Sequence, residues 1–228
     1  MAVHQSASYQ HHTEGSNMKK KIFEIGGIAA GIILIAFGVG ALVLSFNGKS
    51  TVSSSLKEQQ IVGTPDMTPE AIAAEAKAAH LPSTIKLPTC TVAGQLVDTG
   101  AEARCFADYM RIHAYEASGG VPYSQMPRYA TADGKGTNDA SKALTQNGRP
   151  VDNAARNVWV TETALSTALN MSYLATQLGT FGIVVGIALL LSGFGFVILA
   201  VGGALRAGSW LFEHSSKTAA SVTKTASA

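Results

Sequence analysis

Cysteine, charge and catalytic signatures are all scarce in this sequence. Its 228 residues include only two cysteines, Cys90 and Cys105, which excludes a thiolate cluster of the four-cysteine zinc kind. They stand fifteen residues apart, so the Cys-x-x-Cys spacing of a redox-active pair is absent as well. No Gly-x-Ser-x-Gly elbow, phosphate loop or dinucleotide fingerprint occurs between residues 47 and 178, which leaves hydrolase and nucleotide chemistry without a sequence basis, and no cofactor is expected. Charged residues make up 14% of the chain, well below the usual quarter or so of a soluble domain.

The shortage of charge is local. Ile25 to Phe46 is a run of 22 residues with no charged side chain, and Phe181 to Leu205 is another of 25. At about 1.5 Å per helical residue each covers the ~30 Å hydrocarbon core of a bilayer. Both exceed the roughly 11–12 residues of an average helix and lack the polar face that a surface helix keeps. The sequence therefore predicts a mainly α membrane protein. Its parts are a tail (1–21), a first span (22–46), a mostly helical outer domain (47–178), a second span (179–205) and a second tail (206–228).

Orientation follows from lysine and arginine. Lys19, Lys20 and Lys21 precede the first run, and Arg206, Lys217 and Lys224 follow the second, whereas only Lys49 and Lys57 lie close to the outer ends. The positive-inside rule places both termini in the cytoplasm and the middle outside the plasma membrane. A cleaved signal peptide is the competing reading of the first run. Its length beyond a signal core and the exit Leu44-Ser45-Phe46-Asn47, which lacks a small-x-small pattern, oppose cleavage. Residues 1–17 read as a polar extension containing His4, His11 and His12, and Met18 reads as a natural start. Between the spans, eleven Lys/Arg face twelve Asp/Glu, a net charge of −1; no nucleic-acid partner is expected.

Within the outer domain the clearest local signals are caps. Thr68-Pro69-Glu70 predicts a helix to His80, with threonine as N-cap, proline in the first turn and an acid at the positive end of the dipole. Thr99-Gly100-Ala101-Glu102 is a capping box and predicts a helix over 101–117, with Phe106, Tyr109, Met110 and His113 on one face. Ile85 to Val97, with Ala93-Gly94 at its middle, reads as a small β-hairpin. Residues 120–153, rich in Pro, Gly, Asn and Asp, read as loop around a short helix near Asp139–Leu144. From Ala154 a helix capped by Asn153 runs to Leu178 and on into the second span, with Leu165, Ala168, Leu169, Ser172 and Tyr173 at helical spacing.

Four groups of residues are candidates for function. With both cysteines outside the membrane, a Cys90–Cys105 disulfide is expected. His80, His113 and Glu116 supply the residue types of a two-histidine-one-carboxylate iron site; against this, His113 lies on the apolar face of its helix, as a hydrogen-bonded core histidine does, and no metal is assigned. Gly27 with Gly31, and Gly182 with Gly186, are small-xxx-small pairs that bring helix backbones together, either within one chain or between two copies. Arg156, Trp159 and Glu162 share one helical face and read either as an anchor docking the helix or as a partner-binding patch. Neither apolar run holds an ionisable residue, which speaks against a proton relay or an ion-coupled transporter.

Thr64-Pro65-Asp66-Met67-Thr68-Pro69-Glu70-Ala71-Ile72-Ala73, Asp98-Thr99-Gly100-Ala101-Glu102-Ala103-Arg104-Cys105-Phe106-Ala107 and Ala155-Arg156-Asn157-Val158-Trp159-Val160-Thr161-Glu162-Thr163-Ala164 carry a resemblance. Over roughly residues 18–200 the chain resembles a group of uncharacterised two-span membrane proteins of actinobacteria. Some of that group bear the label of an aromatic ring-opening dioxygenase subunit. The resemblance implies the same two-span architecture and a place in the cell envelope; the label implies an iron-binding set that these residues do not spell out. The expectation is a non-enzymatic envelope protein whose outer domain contacts another envelope component. The alternatives are a metal-dependent dioxygenase using His80, His113 and Glu116, and an accessory subunit of a transporter or of envelope-assembly machinery. The expected partners are the bilayer, an envelope protein, and a second copy through the glycine-rich spans.

Overall fold

The computed structural model describes residues 6–202, with side chains from residue 22 onward. The expected tail 206–228, the last residues of the second span (203–205) and residues 1–5 lie outside the described residues. The described residues form four helices, α1 (Ser6–Glu58), α2 (Pro69–Ala78), α3 (Gly100–Ala117) and α4 (Ala154–Val201), with 3-10 turns at Tyr123–Gln125 and Ala140–Lys142. A two-stranded antiparallel ribbon joins β1 (Thr145–Gln146) to β2 (Arg149–Pro150). The chain divides into a central unit, Phe46–Thr180, and a second unit made of its flanks, up to Ser45 and from Phe181.

In the flanking unit, α1 and α4 are long and apolar enough to cross a membrane. Their large side chains point outward: Ile33, Phe37, Leu44, Phe181, Leu191 and Ile198 are all exposed. A soluble core helix buries such groups, so these faces are built for an apolar surrounding. The two helices meet antiparallel along their glycines. A Cβ at Gly31 would lie 2.6 Å from Val197 Cγ2 and 2.7 Å from the Gly193 carbonyl, and one at Gly186 would lie 2.8 Å from Leu42 Cγ and 3.0 Å from the Gly38 carbonyl. Gly182 faces Ser45 in the same seam, and Gly27 is buried. These contacts are intramolecular. Gly186→Leu is expected to destabilise the pair by the ~1–3 kcal/mol typical of overpacking, whereas Gly40→Leu, at a glycine with nothing within 4 Å, leaves the thermal melt of the full chain unchanged. Equal melts for the two variants would mean that the seam is not where the helices pack.

The central unit is organised by its caps. Thr68 Oγ1 accepts from the Ala71 amide at 3.2 Å, with Pro69 opening α2. Thr99 Oγ1 accepts from Glu102 N, and Glu102 Oε2 accepts from the Thr99 and Asp98 amides at 2.9 and 3.0 Å, closing the capping box of α3. At Gly100 a Cβ would fall 2.9 Å from Tyr173 Cα, so glycine permits the start of α3 to lie against α4. The buried core gathers Leu56 of α1, Met67, Ile72 of α2, Val92, Val97, Phe106, Tyr109 and Ile112 of α3, and Leu169 of α4. The Cys90–Cys105 disulfide, Cα–Cα 6.1 Å, ties the 85–97 segment to the first turns of α3.

The hairpin expected over 85–97 is not formed. That segment pairs instead with residues 61–63: Gly63 N donates to the Gln95 carbonyl, Gly94 N to the Gly63 carbonyl and Val97 N to the Ile61 carbonyl, at 2.8–3.0 Å. The observed ribbon lies at 145–150, where Asn147 (φ 50°) and Gly148 (φ 73°) make the two-residue turn, the left-handed pair a tight hairpin needs. The rest of 120–153 is mostly loop, cross-linked by hydrogen bonds between Tyr129 and Thr137 and from Ala130 N to the Val151 carbonyl.

Candidate functional site

Two arrangements in the central unit carry chemistry. The first is a groove of about 650 Å³ beside α4. Its floor begins at Trp159, whose ring is 7% exposed, stands edge-on to Tyr115 of α3 at 4.8 Å and donates Nε1–H to the Val121 carbonyl at 3.2 Å. One turn on, Glu162 is 4% exposed, and its carboxylate accepts from Ser166 Oγ at 2.6 Å and from Thr163 Oγ1 at 3.4 Å. Arg111 and Tyr123 complete the walls. Arg156 does not reach Trp159 or Glu162. Its guanidinium lies over the Tyr123 ring at 4.5 Å and donates Nη2–H to the phenol oxygen at 2.7 Å. Of the three residues read as an anchor or a partner-binding patch, Trp159 packs against Tyr115 of α3, Glu162 is held by hydroxyls of its own helix, and Arg156 lies on Tyr123.

Along the open side of this groove runs a second row of α4. Val160, Ala164, Thr167, Met171, Leu174 and Leu178 are all exposed, and they recur at intervals of four and three. That is the 3.5-residue period with which one helix presents a seam to another. Leu165 and Leu169, in contrast, face the core.

The second arrangement lies between α2 and α3. Asp66, from the loop before α2, Glu75 of α2 and His113 of α3 place one ligand atom each within 4.8 Å of one another. Asp66 Oδ2 lies 2.8 Å from His113 Nε2, within ion-pair distance. Glu116, one turn along α3, has a buried Oε1 with no hydrogen-bond partner. Burial pushes the Glu116 carboxyl above its ordinary range; His113 opposes this, and Glu75 and Asp66 add to it by repulsion. Burial also acts upward on Asp66, but the Thr64 hydroxyl, the Asp66 amide and His113 together outweigh it, so that carboxyl sits below its usual range. Tyr109 is pushed up by burial and then by the charges of Glu70 and Asp66.

The linkage signs of the two acids are opposite. The raised Glu116 favours the fold at low pH and gives up that contribution as pH rises through its folded value. The lowered Asp66 favours the fold at neutral pH and loses its contribution on acidification.

Of the expected metal candidates, His113 and Glu116 belong to this corner and His80 does not. His80 is exposed just beyond α2 at φ 54°, with Nδ1 2.8 Å from the Ala78 carbonyl oxygen. Asp66 and Glu75 take its place beside His113; no motif links them to His113, because a loop and two helices bring them together. Set against protein-family models, curated proteins and solved structures, the chain matches none.

Proposed function

We propose that this chain is a non-enzymatic two-pass membrane protein of the cell envelope, with both termini cytoplasmic and its central domain outside, where it holds an amphipathic helix of another envelope protein. The observation that supports this most directly is the exposed row Val160, Ala164, Thr167, Met171, Leu174 and Leu178 beside the groove. A row at heptad spacing that is mostly apolar and exposed costs free energy where it meets water, and a covering helix recovers it. Tyr123 and Arg111, of residue types found at interface centres, flank it, and Met171 lies within it. The disulfide between the two apolar helices accords with an oxidising compartment for the central domain, and the lysines at 19–21 accord with an inward N-terminus.

Two measurements on living cells test the reading. Reporters fused after Phe46 or before Phe181 are expected to act outside, and one after Lys217 inside; an outward C-terminus would overturn the topology. A photo-crosslinking residue at Met171 is expected to give one discrete adduct with a different protein. Leu174→Glu is expected to reduce that adduct at least tenfold at an unchanged melting temperature. An adduct at twice the mass of the chain would assign the row to a second copy, and no adduct would remove the docking role.

A further inference from the structure

Independently of the partner reading, we propose that Asp66, Glu75 and His113, with Glu116 as a fourth donor, form a binding site for a first-row divalent cation, best matched by zinc. The donor set is one imidazole nitrogen and carboxylate oxygens, which suits zinc and its neighbours better than calcium or magnesium, whose sites are built from oxygen alone. Both cysteines are spent in the disulfide, so no thiolate competes.

The geometry is close to what a metal requires. Bonds of about 2.0–2.1 Å in a tetrahedral shell put ligand atoms about 3.3 Å apart. Here the three atoms already lie within 4.8 Å, and Asp66 Oδ2 and His113 Nε2 are at 2.8 Å. His113 and Asp66 are 29% and 26% exposed, which leaves a path from solvent.

One observation separates this corner from an ordinary cluster of acids. Glu116 Oε1, one turn from His113 on α3, is shut off from water with no hydrogen-bond partner, a state that is costly for a polar atom and that a cation bound beside it relieves. A divalent ion neutralises the carboxylates and gives that oxygen a partner. It also clamps the loop before α2, α2 itself and α3 to one another.

The test uses the full chain in detergent or nanodiscs, stripped with chelator and titrated with Zn²⁺. The expected result is one Zn²⁺ per chain and a rise in melting temperature. Both are expected to persist in His4→Ala/His11→Ala/His12→Ala/His214→Ala, which removes the histidines of both tails as a rival site. Glu75→Gln, nearly isosteric, is expected to weaken binding about 10–100-fold, and His113→Ala to abolish it, while His80→Ala leaves it unchanged. Loss of binding with the tail histidines, equal affinity in Glu75→Gln, or no saturable binding by the wild-type chain would each overturn the proposal. Because Glu75→Gln is read against its own chelator-treated melt, a folding defect does not pass for a lost ligand.

Discussion

Trp159→Ala lowers the stability of the central unit by about 3–5 kcal/mol, the cost of emptying a large aromatic site in a packed interior. The indole is held on three sides. It is edge-on to Tyr115 at an interplanar angle of 86°, it packs with Ala114 and Met126, and its Nε1–H is committed to the Val121 carbonyl. Truncation forfeits the dispersion contacts and the aromatic pair, and leaves a backbone acceptor without its donor. Trp159→Phe, which keeps a ring but not the N–H, falls between wild type and alanine. Thermal melting of the full chain reads both variants. A wild-type melt for Trp159→Ala would mean that the ring is not an anchor, and would return Trp159 to the partner-binding patch.

The second large effect is expected at the disulfide. Cys90→Ser and Cys105→Ser each cost about 3 kcal/mol, the chain-entropy value for a closed loop of fifteen residues, and the double variant costs no more than either single one. The bond is not alone in fixing this junction: Tyr109 Oη–H donates to the Cys90 carbonyl at 2.5 Å, and Cys105 is buried against the core cluster. The serine variants are therefore expected to keep the α3 packing and to melt earlier as a single transition. Additive losses in the double variant would mean that the two sulfurs stabilise separately.

What the sequence carried well was local or compositional. The caps at Thr68 and Thr99 were legible because a capping bond spans only three residues, and the two long apolar helices because 22 and 25 uncharged residues leave few alternatives. The hairpin was misplaced for a related reason. Residues 85–97 have the β-branched content of strands, but their hydrogen-bond partners are residues 61–63, some thirty positions away. The Asn147-Gly148 pair is a strong short-range hairpin signal, and the strands it joins are only two residues long.

The candidate sites were legible in part. His113 and Glu116 stood out as titratable groups on an apolar helix face, but Asp66 and Glu75 join them only through tertiary packing. On α4 the row through Leu165 and Leu169 and the row through Val160 and Leu174 are both apolar. Periodicity alone does not say which is covered by α3 and which is left open.

The glycine seam between α1 and α4 sets a limit on permeation. At Gly31, Gly38, Gly186 and Gly193, a single added carbon would already fall within 3 Å of the opposite helix, so no lumen runs between them wide enough for a water molecule, let alone a hydrated ion. The run Ile25–Phe46 and the described part of Phe181–Leu205 offer no charged group to line one.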